Sequence, residues 1–498
     1  MTVSDSEKIP IGIPGLNDVL GGGLPRKGIY LVQGNPGVGK TTLGLQFLLE
    51  GRALGEPGLY VALTETRREV ELIARSHGWS LEDLPIWEIT PAFKRIRRED
   101  DQTMFHPAEV ELDETTRPIF EEIDRVKPAR VVIDSLSEIR LLSREPLRYR
   151  RQLLLLKQFF LERECTVLLI DSQGFAGRDS GGILETLIGG LIVLEKTTPA
   201  YGTTRRRLMV DKLLGVSFRE GYHDYQIKTG GLVVYPRLVA AEHPKAFSRE
   251  PVSSAVPELD DLLGGGLERG TSTLILGSAG TGKSSLASQY AVAAARRGEK
   301  SVLFTFEESV GTWRARASAF WPDVEAHLRS GAIRVVHVDP AELSPGELSS
   351  CIREAVEKQQ VQMIVIDSLN GYLQSVPEES FLILHLHELL TYLGQKGVTT
   401  ILNMAQYGLL GPTMDVPVDV SYLADCVLLL RFFEAAGEVR QSISAVKKRS
   451  GRHERTIREF QLDTQGIHVG RPLRESHGVL TGTPSDRGGE GPLLPPRE

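Results

Sequence analysis

Cysteine is scarce in this chain. The 498 residues include three, Cys165, Cys351 and Cys426, far apart and odd in number. With no C-x-x-C pair, neither a disulfide framework nor a thiolate zinc site organises the fold. Buried free thiols in a reducing compartment are the expectation. Long apolar runs are also missing. Leu153–Leu156 and Val427–Leu430 fall far short of the ~20 residues that cross a bilayer. The opening stretch, Met1–Pro10, is polar and has no apolar core of a signal peptide. A soluble, cytoplasmic protein without a membrane partner is therefore expected. An excess of positive charge is lacking too. Lys and Arg number 58 against 65 Asp and Glu, a net charge of −7. That balance lacks the overall footprint of a nucleic-acid coat, although a local basic patch remains open. Glycine is plentiful, at 50 residues, but without a Gly-X-Y period.

What is present is a globular composition, 41% hydrophobic and 25% charged, in a chain too long for one ordinary core. The chain repeats itself once. Leu16–Leu24 (LNDVLGGGL) returns as Leu259–Leu267 (LDDLLGGGL), and Gly34–Thr41 (GNPGVGKT) as Gly277–Ser284 (GSAGTGKS), both at an offset of 243. Further on, Val131–Leu136 answers Ile364–Leu369, and Gln173 answers Gln406, at an offset of 233. Two copies of one domain explain the whole set, with ten extra residues in the first between its second strand and Asp134.

Each copy alternates strands and helices. In the first, Ile29–Gln33, Gly58–Leu63, Val131–Ile133 and Thr166–Ile170 read as strands. Thr41–Leu49, Arg67–Ser76 and Leu147–Glu162 read as helices. The fold class expected is α/β: two tandem domains, each a mainly parallel sheet flanked by helices. Domains are expected at 8–241 and 258–470. A proline-bearing linker at 242–257 and a disordered tail at 471–498 complete the division.

The pattern G-x-x-x-x-G-K-[ST] occurs in both copies. Gly34, Gly37 and Gly39, and likewise Gly277, Gly280 and Gly282, allow backbone N–H groups to surround phosphates at a helix N-terminus. Lys40 and Lys283 supply an ammonium to the β- and γ-phosphates. Thr41 and Ser284 offer a hydroxyl to Mg²⁺, and Thr42 and Ser285 follow in the same turn. The expected cofactors are thus ATP and Mg²⁺. Asp134 and Asp367 end apolar strands, where a carboxylate can hold the metal's water shell. A base is also needed. Glu307 and Glu308 close the second strand of the second copy, whereas the first copy has Thr64 and Glu65 there. Acidic residues that merely open the next helix are the alternative.

This set resembles the KaiC family of circadian-clock ATPases, in the RecA/RadA-like group, across about residues 8–470. The resemblance implies RecA-like domains, stacked rings of six copies, and a neighbour's Lys and Arg reaching the γ-phosphate. Lys447 and Arg449 match those finger positions in the second copy. Lys212 and Leu214 occupy them in the first, so the arginine is missing there. The first copy is expected to bind ATP but hydrolyse it poorly. The family's adjacent Ser-Thr phosphorylation pair corresponds to Ser421 and Tyr422. Ser421 is the phospho-acceptor candidate, and serine/threonine autokinase activity is implied, with regulatory protein partners. A RecA-like DNA-dependent ATPase is the competing class. Its DNA loops would lie at Gly174–Gly182 and Tyr407–Asp419, which hold one basic residue, Arg178. A ring that displays a signalling surface is a third reading. His385 and His387, two apart on an expected helix, make a poor metal pair. The cluster Arg140, Arg144, Arg148, Arg150 and Arg151 reads as a solvated helix face.

Overall fold

The computed structural model describes residues 7–88, 107–143, 146–172, 186–199, 202–243, 246–374, 379–406, 418–435, 437–463, 466–474, 476–477 and 485–486. The chain divides into two compact units, Met1–Arg237 and Leu238–Glu498.

In the first unit, β1 (Lys8–Ile9) and β2 (Leu24–Pro25) form a short antiparallel lead-in. The main sheet contains β3 (Ile29–Gly34), β4 (Gly58–Ala62), β5 (Ile86–Glu88), β6 (Arg130–Asp134), β7 (Thr166–Ser172), β8 (Gly190–Thr197), β9 (Arg205–Leu213), β10 (His223–Lys228) and β11 (Gly231–Tyr235). Its order is β11-β10-β9-β8-β3-β7-β6-β4-β5. Strands from β5 to β8 run parallel, and β9, β10 and β11 add an antiparallel edge. Strands β4 and β6 are buried along their whole length. That is why they read as unbroken apolar runs rather than alternating ones. Helices α1 (Leu16–Val19), α2 (Lys40–Ala53), α3 (Arg67–Ser76), α4 (Pro107–Val126), α5 (Leu136–Ser143) and α6 (Pro146–Glu162) complete the unit. One apolar core contains Leu43, Phe47 and Val132, and the other contains Val131, Leu153 and Phe160.

The second unit repeats this order. Strands β12 (Pro251–Val252) and β13 (Leu267–Glu268) pair as the lead-in. The sheet contains β14 (Ser272–Gly277), β15 (Ser301–Thr305), β16 (Ile333–His337), β17 (Met363–Asp367), β18 (Thr399–Ala405), β19 (Cys426–Ala435), β20 (Glu438–Lys448), β21 (Ile457–Asp463) and β22 (Gly466–Pro472). Its order is β16-β15-β17-β18-β14-β19-β20-β21-β22. The helices are α7 (Pro257–Leu262), α8 (Lys283–Arg296), α9 (Val310–Phe320), α10 (Val324–Ser330), α11 (Pro345–Glu357), α12 (Leu369–Gln374) and α13 (Glu379–Gln395).

Described parts of the stretch 242–257 fold with the second unit. Leu238 and Ala240, just ahead of it, join the second unit's core, and Val252 pairs with Leu267. Its prolines fit this: Pro251 lies in a two-residue strand and Pro257 opens α7, where a missing N–H costs nothing. The tail 471–498 lies mostly outside the described residues, but Pro472 ends β22 and Leu473 packs with Phe433 and Ala435.

Candidate functional site

In each unit the central strand ends in the glycine-rich turn. Strand β3 sits between β7 and β8, and β14 between β18 and β19, so each turn opens at the carboxyl edge of a parallel sheet. A Cβ on Gly34 would lie 2.4 Å from the Leu194 carbonyl oxygen, and one on Gly277 2.5 Å from that of Leu430. Only glycine fits such an approach. Gly37 and Gly39 take φ of 79° and 94°, and Gly280 and Gly282 take 82° and 93°, the left-handed region that wraps the loop. Lys40 Nζ donates to the carbonyls of Gly34 (2.8 Å) and Asn35 (3.2 Å). Lys283 Nζ donates to Gly277 and Ser278 (both 2.8 Å). Each ammonium is thus folded over its own loop. Burial lowers both lysines, Lys283 to about 8, against the raising effect of nearby carboxylates.

The strand-end aspartates meet the hydroxyls that follow the lysines. Thr41 Oγ1 donates to Asp134 Oδ2 at 2.8 Å, and Ser284 hydrogen-bonds Asp367. Burial raises both carboxyls, because a lone charge is costly there. A hydroxyl touching a buried carboxylate is the hard oxygen donor set that suits Mg²⁺, and the cation would offset that cost. The two sites differ in what backs the aspartate. In the first, Tyr60, fully buried, donates its hydroxyl to the same Oδ2 at 2.7 Å. Leu303 holds that register in the second.

The next difference concerns the base. Glu307 accepts from Ser368, by its N–H (3.1 Å) and its hydroxyl (2.6 Å), directly after Asp367. In the first unit Thr64 meets Ser135 at 3.3 Å instead. Glu308 turns the other way. Its carboxylate is held by Arg316 at 3.1 and 2.7 Å, and Arg316 also reaches Ser285 Oγ at 3.2 Å. The counterpart of Arg316 is Ile73, so that position offers Glu65 no arginine. Among the described residues its buried Oε2 has no hydrogen-bond partner, and its pKa is pushed up to about 7, first by burial and then by Asp134. Arg316 and Tyr60 are the residues that motif reading missed. The repeat offset pairs them with Ile73 and Leu303, but their role depends on where α9 and β4 point.

Lys447, near the end of β20, donates to the carbonyls of Ser421 (2.9 Å) and Ala424 (2.8 Å). Arg449 bonds the Tyr422 carbonyl and lies 3.3 Å from Asp425. The finger positions therefore rest on the segment that carries Ser421, whose N–H donates to Asp419 at 2.9 Å. Tyr422 is exposed. Leu214 takes the matching position after β9, with its N–H on the Gly189 carbonyl as Arg449's is on Asp425. Thr42 is buried at the start of α2. Gln406 is buried beside the second loop, while Gln173, residues 174–182 and residues 407–417 lie outside the described residues.

His385 bonds Tyr372 and Ser349, a packing role, while burial lowers its pKa to about 4. Among the described residues no three metal-ligating side chains cluster, and no helix is long and apolar enough to cross a membrane. Arg140 is tied to Asp171 and Arg151 is exposed, while the Arg144 side chain is outside the described residues.

Comparison with known proteins accounts for the duplication. The family described as "ATPase: KaiC" matches residues 9–239 and again 252–474. Circadian clock protein KaiC3 of Synechocystis sp. (strain ATCC 27184 / PCC 6803 / Kazusa) is 27% identical over 485 residues, covering 96% of this chain and 94% of its own. Circadian clock oscillator protein KaiC of Thermostichus vulcanus is 27% identical over 491 residues, covering 97% and 92%. The KaiC of Acaryochloris marina (strain MBIC 11017) is 26% identical over 486 residues, covering 96% and 91%.

Proposed function

The chain belongs to the KaiC family of P-loop ATPases, and from that premise we propose that both units bind Mg-ATP while the second performs most of the hydrolysis. The observation that carries this reading is the Glu307–Ser368 contact beside Asp367, set against Thr64–Ser135 in the first unit. A carboxylate at that position can take the proton of an attacking water; a threonine hydroxyl cannot at neutral pH. Lys40 and Lys283 would hold the phosphates, with Thr41, Asp134, Ser284 and Asp367 around Mg²⁺. The cation would draw charge from the phosphates as the bond breaks. Glu308, held by Arg316, positions the loop rather than accepting a proton. Glu65 is a further carboxylate of the first unit, near enough to Asp134 and Lys40 to feel their charges.

The finer part of the proposal concerns assembly and phosphate transfer. The copies assemble as a homo-hexamer in the cytoplasm, with Lys447 and Arg449 of one copy completing its neighbour's site. Within one chain these two already bridge to the Ser421–Asp425 segment. Ser421 is then the acceptor of an autokinase reaction: its hydroxyl oxygen attacks the γ-phosphorus, the bond to the β-phosphate oxygen breaks, ADP leaves, and Glu307 takes the hydroxyl proton. The role is signalling or clock-like regulation through protein partners. The test is steady-state ATPase of parent and Glu307→Gln, with phosphosite mapping by mass spectrometry after incubation with Mg-ATP. Unchanged phosphate release in the variant would refute the assignment of the base, and an unmodified Ser421 would remove the kinase step.

A further inference from the structure

The two glycine-rich loops differ on one flank. Strand β8 passes beside the first loop and β19 beside the second, with the carbonyls of Leu194 and Leu430 in matching places. Two residues further along, the strands part. A Cβ on Gly37 would lie 3.1 Å from Lys196 Nζ, whereas one on Gly280 would lie 3.6 Å from the Phe432 ring. Lys196 stands directly opposite Arg206 of β9, and Phe432 directly opposite Gln441 of β20. A pair of cations in the first unit thus replaces a ring and an amide in the second. Gln441 serves its own loop, donating from Nε2 to the Gly280 carbonyl at 3.1 Å.

Lys196 and Arg206 follow the alternation that puts Leu194, Leu208 and Val210 into one core with Val38 of the loop. They extend that face to the loop itself. Tyr225, whose hydroxyl donates to the Val38 carbonyl at 2.7 Å, feels the charge of Arg206, and Lys40 feels the charge of Lys196. Like charges directly opposite one another weaken a strand pair. Among the described residues no carboxylate relieves this one. The Arg206 Nε is buried without a hydrogen-bond partner, and Glu195, next to Lys196, is held by Arg207 at 2.9 Å and Tyr222 at 3.0 Å. Lys40, Lys196 and Arg206 therefore border one set of loop N–H groups. Such a grouping is unfavourable by itself and is relieved by a polyanion.

We propose that Lys196 and Arg206 form a second grip on the phosphate chain of a nucleotide in the first unit, a grip that the second unit lacks. The inference rests on the reading that the first unit binds Mg-ATP. It adds that binding there depends more steeply on salt than binding in the second unit, where Phe432 and Gln441 bring no charge. Lys196 is exposed, so its ammonium can swing on its four-carbon stem to meet the phosphates.

The test measures Mg-ATP binding by equilibrium dialysis in the full-length chain. A Lys283→Ala background reports the first unit, and a Lys40→Ala background the second. In the first background Lys196→Gln should weaken binding about 10-fold at about 50 mM salt, the scale of a charge-assisted hydrogen bond, and the deficit should shrink towards about 0.5 M as screening grows. Arg206→Gln should act in the same direction, and Lys196→Arg should retain most of the affinity. Arg151→Gln, an equal change of net charge at an exposed position of α6, should leave it unaltered. In the Lys40→Ala background Lys196→Gln should have no effect. Unchanged affinity in Lys196→Gln or Arg206→Gln, a deficit independent of salt, or an equal deficit in both backgrounds would overturn the grip while leaving first-unit binding in place. Failure of the Lys283→Ala chain itself to bind Mg-ATP would instead overturn the reading beneath it.

Discussion

At the edge of the first sheet Thr64 meets Ser135 at 3.3 Å; at the same place in the second, Glu307 meets Ser368 at 2.6 Å. Around this exchange the frames agree closely. Both loops have paired left-handed glycines, both lysines fold onto two loop carbonyls, and both aspartates meet the next hydroxyl. On the reading proposed above, retention of the frame would preserve nucleotide binding, because the loop's N–H groups and lysine would supply it. Turnover needs a proton acceptor and extra positive charge in the transition state, and there the first unit has Thr64 and Leu214. Similar binding and dissimilar chemistry can thus share one backbone.

The largest test is to remove each lysine in turn. Lys283→Ala should lower steady-state ATP hydrolysis about 100-fold, the scale of a lost charge-stabilising donor. Lys40→Ala should lower it less than about 2-fold while halving the nucleotide bound per chain. Equal losses of turnover would break the comparison. The reverse experiment sharpens it. In a Lys283→Ala background, Thr64→Glu with Leu214→Arg should raise the residual rate about 10-fold, a modest share of what a base and a finger arginine contribute. No gain would mean that Thr64 and Leu214 do not set the first unit's rate.

Much of this site was legible in the sequence, because phosphate binding is a backbone function written in glycines at fixed spacing. Gly34–Thr41 and Gly277–Ser284 announce themselves twice, and Thr64 and Leu214 stand out once the copies are aligned. The side chains behind the site were not legible. Arg316 is one arginine on α9 until the fold turns it onto Glu308, and Tyr60 looks like any strand tyrosine until its hydroxyl reaches Asp134. The segment 242–257 reads as a linker by its prolines, yet part of it pairs into the second unit, since a strand of two residues leaves no periodicity.

The missing guanidinium beside Glu65 gives a smaller, pH-dependent effect. Burial and then the neighbouring Asp134 push its carboxyl from the ordinary 4.5 up to about 7 in the fold. Between those values the folded state holds more protons than the unfolded one, so stability falls as pH rises through that window. Replacement by glutamine should remove the slope, worth on the order of 1–2 kcal/mol in urea denaturation without nucleotide. Ile73→Arg should flatten it by pairing the carboxylate. A slope unchanged in Glu65→Gln would assign it to other groups.

The smallest expected effect lies one side chain deeper. Asp134 Oδ2 takes hydroxyls from both Thr41 and Tyr60, whereas Asp367 has a leucine at the tyrosine's register. Tyr60→Phe removes one donor to a buried carboxyl and nothing else of its shape, which should cost about 1 kcal/mol without nucleotide. Mg²⁺ bound with nucleotide supplies the positive charge that the hydroxyl partly replaces, so the difference between parent and variant should shrink when Mg-ATP is added. If it grows instead, Tyr60 supports the metal-bound form. The first unit would then be built for retaining Mg-nucleotide as well as for failing to cleave it.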